Sequence, residues 1–328
     1  MLYLASWESS LLRLAGTLLS RRGRNASLLV LIFHRVLQER DPLLPNEPDA
    51  RQFGALVDLI AGNFNILPLR EAADRLRRGA LPSRAICITF DDGYANNCTV
   101  ALPILAARRV PATVFVAPGF LNGKRMFNDT ILETIRRAPE AIDLTPEGLS
   151  PVDFSQGATR LEIWEKLVGK LKYLEPVERL RRVEALAERL GVTPPTDLMM
   201  TDDQVRTLHR SGIEIGAHTM THPILTRVDA ETALREMSDS RRRLEEITGA
   251  PVRSFAYPNG RPKQDYDHTH VGLAREAGFD LALTTAWGAA TIDSDMLQIP
   301  RVAPWDATGL KYGARLANAY RQRQYETV

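Results

Sequence analysis

The sequence has few cysteines, almost no excess charge and no long hydrophobic run. Its 328 residues include only two cysteines, too few for the disulfide framework of a small secreted protein. The 42 basic and 40 acidic residues leave a formal net charge of +2, so the overall charge gives no reason to expect nucleic acid as a partner. No stretch approaches the roughly 18 consecutive apolar residues of a membrane-spanning helix. The remaining composition, 44% apolar and 25% charged, is that of an ordinary soluble globular protein.

The two cysteines, Cys87 and Cys98, are predicted to be free thiols. Their spacing fits no compact metal-binding motif, and Cys87 lies in the apolar run Ile86–Ile88, where a small buried side chain is expected. Free thiols fit a reducing compartment. We therefore expect a cytoplasmic protein, at the inner membrane surface if its substrate is a saccharide precursor awaiting export.

The N-terminal segment, residues 1–27, is predicted to form an amphipathic helix. Its leucines follow Glu8 and precede the basic pair Arg21 and Arg22, which reverses the charge order of a secretory signal. Two placements are open. The helix packs on the main domain, residues 28–328, or it rests on a membrane surface as a peripheral contact. Packing is the simpler interpretation.

Seven short β-rich runs punctuate residues 28–328, and segments of helical periodicity lie between most of them. The predicted strands are Leu28–Phe33, Ala85–Phe90, Ala112–Val116, Ile213–Gly216, Val252–Ala256, Asp280–Thr284 and Gln298–Val302. The helical segments include Ala50–Gly62, Asn96–Arg109, Glu231–Thr248 and Leu273–Ala277. Strands that alternate with helices indicate a mainly parallel sheet. Both an open doubly wound sheet and a closed barrel fit this pattern.

Residues 119–200 interrupt the alternation. This stretch shows no convincing strand and has helical periodicity over Leu161–Leu174 and Val177–Leu190. We interpret it as a mostly helical insertion between the third and fourth strands, placed to cover the active face.

Polar residues occur at the same end of several predicted strands. His34, Asp91, His218, Tyr257 and Arg301 lie at or near the ends of five different runs. In a βα barrel the C-terminal ends of the strands carry the loops that build the site. We therefore expect these five side chains on one face of the protein.

The pair Asp91 and Asp92 is the first chemical motif. If the strand remains extended, the two carboxylates point in opposite directions. One of them can then hold a metal ion while the other accepts a proton from water, and Gly93 permits the sharp exit that follows. The alternative is a structural role, in which Asp92 caps the helix that begins near Asn96 or shapes the turn.

The pair His218 and His222 is the second motif. Helical spacing would place both imidazoles on one face, but Pro223 disfavours helix at His222 and predicts an extended loop. Imidazole nitrogens suit zinc and its neighbours, so the pair is a candidate for metal binding. An incidental pair is the alternative.

A turn over Ser254–Gly260 is the third motif. An apolar strand there runs into a Pro and Gly turn, which can present a backbone N–H to a developing oxyanion, and its aromatic residue can flank a sugar ring. An ordinary strand-ending turn fits the same residues.

Together the three motifs resemble the successive motifs of the polysaccharide deacetylases, the NodB-homology or carbohydrate esterase family 4 group. The matching segments are TFDDGY at Thr89–Tyr94, HTMTHP at His218–Pro223 and FAYPNG at Phe255–Gly260. The resemblance extends to Phe33–Val36 near the start and to Leu283–Thr285 and Ile299–Val302 near the end. It spans about residues 28–305 apart from the insertion.

The resemblance implies a distorted (β/α)7 TIM-like barrel that removes an N-acetyl, or less often an O-acetyl, group from a sugar. It implies that Asp92, His218 and His222 bind one divalent metal ion, with Zn²⁺ expected, and that Asp91 is the general base. The backbone N–H of Tyr257 would stabilise the oxyanion. An open position on such a metal polarises a carbonyl and lowers the pKa of bound water, which agrees with the residue types themselves.

The chain departs from the family pattern in its third motif. The family often opens this motif with an arginine that orients the base, whereas the chain has Ser254–Tyr257. Arg301 is the candidate substitute. An ordinary ion pair at the barrel rim is the alternative for Arg301.

A late histidine that serves the family as general acid is also missing, because no histidine follows His270. His34 is the first candidate to replace it, since it ends the first strand on the predicted active face. His268 or His270 from the loop after Gly260 is the second. In a third arrangement water or the general base returns the proton.

Three functions therefore remain at this stage. The leading hypothesis is a metal-dependent deacetylase of an N-acetylated sugar, polysaccharide or glycolipid precursor. The same fold also suits hydrolysis of another linear or cyclic amide. A catalytically silent glycan-binding module is the alternative that the missing arginine and histidine favour.

Overall fold

The computed structural model describes residues 4–157, 159–303 and 308–328. The strands are β1 (Leu29–Phe33), β2 (Asn65–Ile66), β3 (Ala85–Phe90), β4 (Thr113–Val116), β5 (Ala141–Ile142), β6 (Val152–Asp153), β7 (Glu214–Ala217), β8 (Ser254–Ala256), β9 (Leu281–Trp287) and β10 (Ile299–Arg301). The α-helices are α1 (Ser6–Ser20), α2 (Ala50–Asn63), α3 (Leu69–Arg77), α4 (Leu102–Ala107), α5 (Phe127–Arg137), α6 (Arg160–Leu171), α7 (Pro176–Arg189), α8 (Asp202–Arg210), α9 (Ala230–Thr248), α10 (His268–Glu276) and α11 (Gly309–Ala319).

Seven parallel strands form a nearly closed barrel in the order β1-β3-β4-β7-β8-β9-β10. The circuit returns to β1 through Val302, whose N–H donates to the Val30 carbonyl at 2.8 Å and whose carbonyl accepts from the Ile32 N–H at 3.2 Å. Each of the seven predicted runs contributes one of these strands, with ends that agree to within three residues and with Ala85–Phe90 predicted without error. The structure thus confirms the distorted (β/α)7 barrel and excludes the open sheet.

The central strands are apolar on both faces, as strands covered by helices require. Every residue of β1 and of β3 is buried, and the two strands pair in parallel from Leu29 opposite Ile86 to Phe33 opposite Phe90. Since all seven strands run the same way, their C-terminal ends meet at one rim. The residues that follow those ends are therefore brought together.

Three aromatic rings fix the rim beside the first two strand ends. The centroids of Phe33 and Phe90 lie 5.5 Å apart, and Phe53 of α2 packs edge-on against Phe33 at 5.5 Å and contacts Phe90 at 5.7 Å. All three side chains are almost completely buried. Because Phe33 precedes His34 and Phe90 precedes Asp91, this cluster anchors two residues of the predicted site.

The stretch between β4 and β7 is mostly helical, as expected for the insertion, but it also contains a small antiparallel sheet. Ala141 and Ile142 of β5 pair with Val152 and Asp153 of β6. The prediction of no strand here was wrong, because two-residue strands are too short to show a period-two pattern. Helices α5, α6 and α7 pack around an apolar cluster of their own, which includes Ile131, Leu144, Ile163, Leu167 and Val183.

The predicted helix over Asn96–Arg109 is not uniformly α-helical. It is π-helical over Asn97–Ala101 and continues as α4, a difference that apolar periodicity does not reveal. Cys87 is buried and Cys98 partly buried, and both are free thiols as predicted. Within the described ranges, no helix combines the length and apolarity needed to cross a bilayer.

The N-terminal helix α1 packs on the barrel, chiefly against α11. Its Leu12 is 5% exposed and lies so close to Gly313 that a Cβ at that glycine would come within 2.4 Å of Leu12 Cδ2. The opposite face is apolar yet uncovered, with Trp7, Leu11, Leu14 and Leu18 between 56% and 68% exposed. Packing on the domain is confirmed, and it leaves this second face unpartnered among the described residues.

We predict that Phe53→Ala lowers the free energy of unfolding by about 3–5 kcal/mol, since it removes a buried ring from the cluster beside the rim. Urea denaturation followed by circular dichroism measures the change. The control Leu18→Ala removes a side chain that is 68% exposed and should cost less than about 0.5 kcal/mol. A loss below about 1 kcal/mol for Phe53→Ala would show that the cluster is not tightly packed.

Candidate active site

An open cavity of about 560 Å³ lies at the rim where the strand ends meet. Residues after four strands line it, among them His34, Asp91, His218 and Asn259. The insertion supplies much of the remaining wall through α5, α6 and α7. The expectation that the insertion covers the active face is confirmed in this sense. Of the five strand-end residues predicted to share one face, His34, Asp91 and His218 line the cavity directly.

Asp91 is held by Arg301 through two parallel hydrogen bonds. Arg301 Nη1 donates to Asp91 Oδ1 and Nη2 to Oδ2, both at 2.7 Å, and Arg301 Nε donates to the Thr284 carbonyl at 2.9 Å. Both residues are almost fully buried. Burial alone would raise the pKa of Asp91, but the guanidinium holds that pKa below its ordinary value. Asp91 is therefore an ionised carboxylate with a fixed orientation, and the contact with Arg301 is one that an orienting arginine requires.

Asp92 turns out of the strand instead of continuing it. Its φ is +75°, and Gly93 follows at +89°, a left-handed pair that L side chains rarely adopt. The expectation of opposed carboxylates assumed an extended backbone and was wrong. The bend brings both carboxylates to the same imidazole, with His218 Nε2 at 3.5 Å from Asp92 Oδ1 and 3.9 Å from Asp91 Oδ2. Strain of this kind is typical of functional sites.

Asp92, His218 and His222 form a group whose ligand atoms all lie within 4.8 Å of one another. His222 Nε2 is 3.6 Å from Asp92 Oδ1, and the two rings are 4.7 Å apart between centroids. The histidines lie in a loop, as predicted, but His222 has a φ of +53° and is left-handed rather than extended. The helix-cap role considered for Asp92 is not observed, since the following helix has no side-chain cap.

His218 is fixed by a hydrogen bond on the far side of its ring. Its Nδ1 lies 2.7 Å from the Ala256 carbonyl. Because a carbonyl only accepts, Nδ1 carries a proton, and the neutral ring keeps a lone pair on Nε2 that can bind a metal ion. Metal-binding histidines are usually oriented by a bond of this type. The observation fits a metal ligand rather than an incidental histidine.

The environment sets different pKa values for the two histidines. Burial and the neighbouring His218 lower the pKa of His222 to about 3, so that ring is neutral and able to coordinate. Burial would also lower the pKa of His218, but the carboxylates of Asp91 and Asp92 outweigh it and raise that pKa. A cation between the three side chains would replace the proton that these carboxylates favour.

His34 is half-buried at the cavity wall, and its carbonyl accepts from Asn97 Nδ2 at 2.9 Å. The loop histidines proposed as alternatives lie elsewhere, at the start of α10. His270 is occupied there, with Nδ1 at 2.8 Å from Asp267 and Nε2 at 3.1 Å from the Leu225 carbonyl. The structure thus corrects the placement of His268 and His270 and leaves His34 as the histidine of this group beside the site.

Tyr257 does not occupy the place that the resemblance implied. Its N–H donates to the Leu283 carbonyl at 3.1 Å within the sheet, its hydroxyl donates to the Leu297 carbonyl, and its ring stacks on Tyr266 inside the core. The assignment of its N–H to the oxyanion is therefore wrong. The interstrand ladder engages that group, a constraint that the motif alone does not show.

Asn259 is the residue of this turn that lines the cavity. Its φ is +58°, and its carbonyl accepts from Thr285 Oγ1 at 2.7 Å, which fixes the turn. Within the described ranges its N–H donates to no other residue. Sequence reasoning missed it, although asparagine before glycine is a recognisable left-handed position.

A buried group in the cavity wall was also missed. Arg35 pairs with Asp129 of α5 and lies 3.7 Å above the ring of Tyr94, whose hydroxyl donates to Asp129 at 3.2 Å. Burial raises the pKa of Asp129 to about 6 although Arg35 opposes it. The pair links the strand end that carries His34 to the insertion. Only the position of Arg35 directly after His34 offered a sequence indication.

We predict that Arg301→Gln lowers the free energy of unfolding by about 3–5 kcal/mol at pH 7, because it leaves Asp91 buried and unpaired. The cost should be smaller in the Asp91→Asn background. The Asp91 contribution is present above the ordinary carboxyl pKa of about 4 and is lost as the pH falls towards the lower folded value. The exposed pair Arg70 and Asp280 is the control, with Arg70→Gln costing below about 1 kcal/mol. Equal losses of unfolding free energy for Arg301→Gln and Arg70→Gln would contradict this explanation.

Comparison with known proteins agrees with this geometry. A family model described as polysaccharide deacetylase matches residues 78–148 and 179–282. YxkH of Bacillus subtilis (strain 168), which bears the name of a polysaccharide deacetylase, is 22% identical over 279 residues, or 84% of this chain and 71% of that one. The matched residues of the family model include Asp91, Asp92, His218 and His222.

Solved structures share the fold. The Streptococcus pyogenes deacetylase PplD in complex with acetate superimposes with a TM-score of 0.59 and 18% identity, covering 89% of this chain and 98% of that one. IcaB from Ammonifex degensii gives 0.57 and 20%, covering 92% and 98%. The family match, together with the motifs in their observed places, leads to one conclusion. The chain belongs to the polysaccharide deacetylase family, hydrolases that act on carbon–nitrogen bonds other than peptide bonds.

Proposed function

We propose that this protein is a metal-dependent deacetylase that removes N-acetyl groups from a sugar, polysaccharide or glycolipid precursor. The observation that supports this most is the division of labour between two adjacent acids. Asp92 faces two histidines, whereas Asp91 is bound on both oxygens by Arg301. One cavity thus holds a three-residue ligand set and a separate ionised carboxylate.

The ligand set fits a divalent ion, and zinc is the metal we propose. Two imidazole nitrogens and one carboxylate oxygen are a known catalytic zinc combination, and the hydrogen bond from His218 to the Ala256 carbonyl supplies the expected support behind a ligand. When bound, such an ion polarises the substrate carbonyl and lowers the pKa of water. Asp92, His218 and His222 would hold it.

Asp91 would act as the general base. Each of its oxygens accepts one hydrogen bond from Arg301 and keeps a second lone pair for water. The bidentate contact fixes which way the carboxylate faces. Asp91 accepts a proton from the attacking water as the new carbon–oxygen bond forms at the acetyl carbonyl. The backbone N–H of Asn259, which has no described acceptor, would stabilise the oxyanion in place of Tyr257.

His34 would complete the reaction. The carbon–nitrogen bond breaks when the amine nitrogen receives a proton, and His34 lies on the cavity wall where it can supply one. Acetate and the free amine are the products. The complete set of ligands and base favours this enzyme over a silent glycan-binding module. Phe127 and Trp164 line the same cavity, and their aromatic faces favour a sugar over an unrelated amide.

We predict that Asp91→Asn retains bound zinc but lowers the rate of acetate release by at least about 100-fold, since it removes the base and leaves the ligands. His218→Ala should lose both metal and activity. Metal content by mass spectrometry and acetate release from N-acetylated chito-oligosaccharides measure the two effects. His209→Ala, on α8 outside the cavity, is the matched control. Full activity of both site variants would refute the mechanism.

We also propose that the uncovered face of α1 rests on an anionic membrane surface. Trp7, Leu11, Leu14 and Leu18 are spaced as one helical stripe, and all four are more than half exposed. The exposed arginines nearby, which no described carboxylate approaches within 4.0 Å, are Arg13, Arg21, Arg22 and Arg24. An apolar stripe with a tryptophan and unpaired arginines matches an interfacial helix on acidic lipid.

We predict that the protein cosediments with vesicles containing 30% phosphatidylglycerol in preference to phosphatidylcholine vesicles, the fraction bound falling as salt rises. The variant Leu11→Glu with Leu14→Glu should lose most of this binding. Leu180→Glu, at a leucine that is 46% exposed on α7, is the control. Equal binding to both lipids, or concentration-dependent self-association that buries the stripe, would overturn the proposal.

A further inference from the structure

We propose that the cavity contains an anion-binding subsite formed by Arg179, Lys172 and Arg261, which takes a phosphate or carboxylate carried by the acetylated sugar. This inference rests on the proposed deacetylase function and deepens it. It concerns the charge of the substrate, which the metal ligands and the base do not determine.

Arg179 carries the argument because it is a buried cation without a carboxylate partner. Arg179 is only 8% exposed. Its guanidinium carbon lies 4.2 Å from the centroid of the Phe127 ring, and its Nη1 donates to the Lys172 carbonyl at 3.0 Å. Among the described residues no carboxylate oxygen comes within 4.0 Å of it, and its Nε and Nη2 have no acceptor. Burial accordingly lowers its pKa.

Other arginines of the same helix behave differently. Arg181 is exposed and Arg182 is half-buried, and both pair with Glu178, at 2.7 and 2.6 Å. Glu175, four residues before Arg179, accepts the N–H groups of Val177 and Glu178 at the start of α7. A cation that is removed from water costs free energy unless it is paired. The absence of a described partner at Arg179 therefore indicates a partner that arrives from the cavity.

Two further cations line the same cavity. Lys172 is half-buried at the end of α6, and Arg261 is exposed in the loop after β8. Neither has a described carboxylate within 4.0 Å. Four acids line the same cavity, and each has another partner. Asp91 is bound to Arg301 and Asp129 to Arg35. Asp92 faces the two histidines, and Glu47 accepts the Arg35 N–H at 3.1 Å. The part of the cavity lined by Arg179, Lys172 and Arg261 thus carries three cations with no described carboxylate in contact.

The chemistry of the wall specifies its ligand. A planar guanidinium binds phosphate or carboxylate through parallel hydrogen bonds, and a lysine nearby adds a point charge. The rings of Phe127 and Trp164 line the cavity beside these cations and offer apolar faces against which a sugar ring can pack. An N-acetylated sugar that bears a phosphoryl or uronic acid group satisfies both features. A neutral oligosaccharide satisfies only the second.

The first test compares charged and neutral substrates on the zinc-loaded protein. The measured quantity is a ratio: kcat/KM for an N-acetylated oligosaccharide containing glucuronate, divided by kcat/KM for its neutral counterpart. This ratio should fall about 10- to 100-fold in Arg179→Gln, the range expected for a lost charged hydrogen bond. Arg179→Lys should fall between, because it keeps the charge but not the fork. Arg182→Gln, on the same helix and outside the cavity, should leave the ratio unchanged.

The second test needs no turnover. Calorimetric titration of inorganic phosphate and of glucuronate into the chelator-treated full chain should show binding that Arg179→Gln weakens by a similar factor and added salt reduces. Chelation prevents the anions from binding a metal ion. The preferred probe distinguishes a phosphorylated sugar from a uronic acid. Thermal melting of each variant reports whether it is folded. If Arg179→Gln is misfolded, the binding of Arg179→Lys is compared with that of the unsubstituted protein instead.

The outcomes separate the two proposals. The subsite is overturned if Arg179→Gln deacetylates both substrates with an unchanged ratio of kcat/KM. It is also overturned if Arg179→Gln binds the anions as tightly as the unsubstituted protein does. Either result leaves the proposed function intact. The opposite result is also possible. If anion binding depends on Arg179 but the protein releases no acetate from any substrate, the subsite is supported and the proposed function is overturned.

Discussion

The contact between Arg301 and Asp91 organises the site more than any other interaction. It joins the last barrel strand to the second strand of the circuit across 210 positions of sequence, so it forms only when the barrel is nearly closed. Both groups are buried, and a charge isolated there would be severely destabilising. Pairing solves this problem and at the same time orients a carboxylate into a cavity. Stability and chemistry therefore depend on the same two hydrogen bonds.

The backbone at Asp92 supplies the second requirement. A strand that continued straight would send the two carboxylates to opposite faces, and one of them would miss the histidines. The left-handed bend at Asp92 and Gly93 keeps both acids beside His218 while giving them different partners. The parallel barrel then delivers the histidine loop from β7 to the same rim. The local strain is compensated by the surrounding ladder, which has no freedom to relax it.

The sequence predicts the barrel well because each strand is a short, mainly apolar run, and parallel pairing places the ends of such runs together. For the same reason it places Asp91, Asp92, His218 and His222 at one site. It fails where tertiary hydrogen bonds decide. Because β8 pairs with β9, the Tyr257 N–H donates to the Leu283 carbonyl. It is Asn259, two residues later, that lines the cavity.

The insertion shows the same limit on a larger scale. Its helices are visible from periodicity, but the sequence does not reveal that Arg179 is buried over Phe127 or that Asp129 reaches Arg35. Those contacts depend on how three helices dock on the rim. In our proposal they shape the part of the cavity that selects a substrate, whereas the barrel motifs shape the part that performs hydrolysis. The two halves of the site are thus predicted with very different success.

The most direct test of the central claim is the position of the metal. A crystal of the zinc-loaded protein, measured at wavelengths on both sides of the zinc absorption edge, should show one anomalous peak about 2.0–2.2 Å from Asp92, His218 Nε2 and His222 Nε2. Asp91 should remain bound to Arg301 and outside the ligand sphere. A peak elsewhere, or one with Asp91 as a ligand, would contradict the division between the two acids on which the account depends.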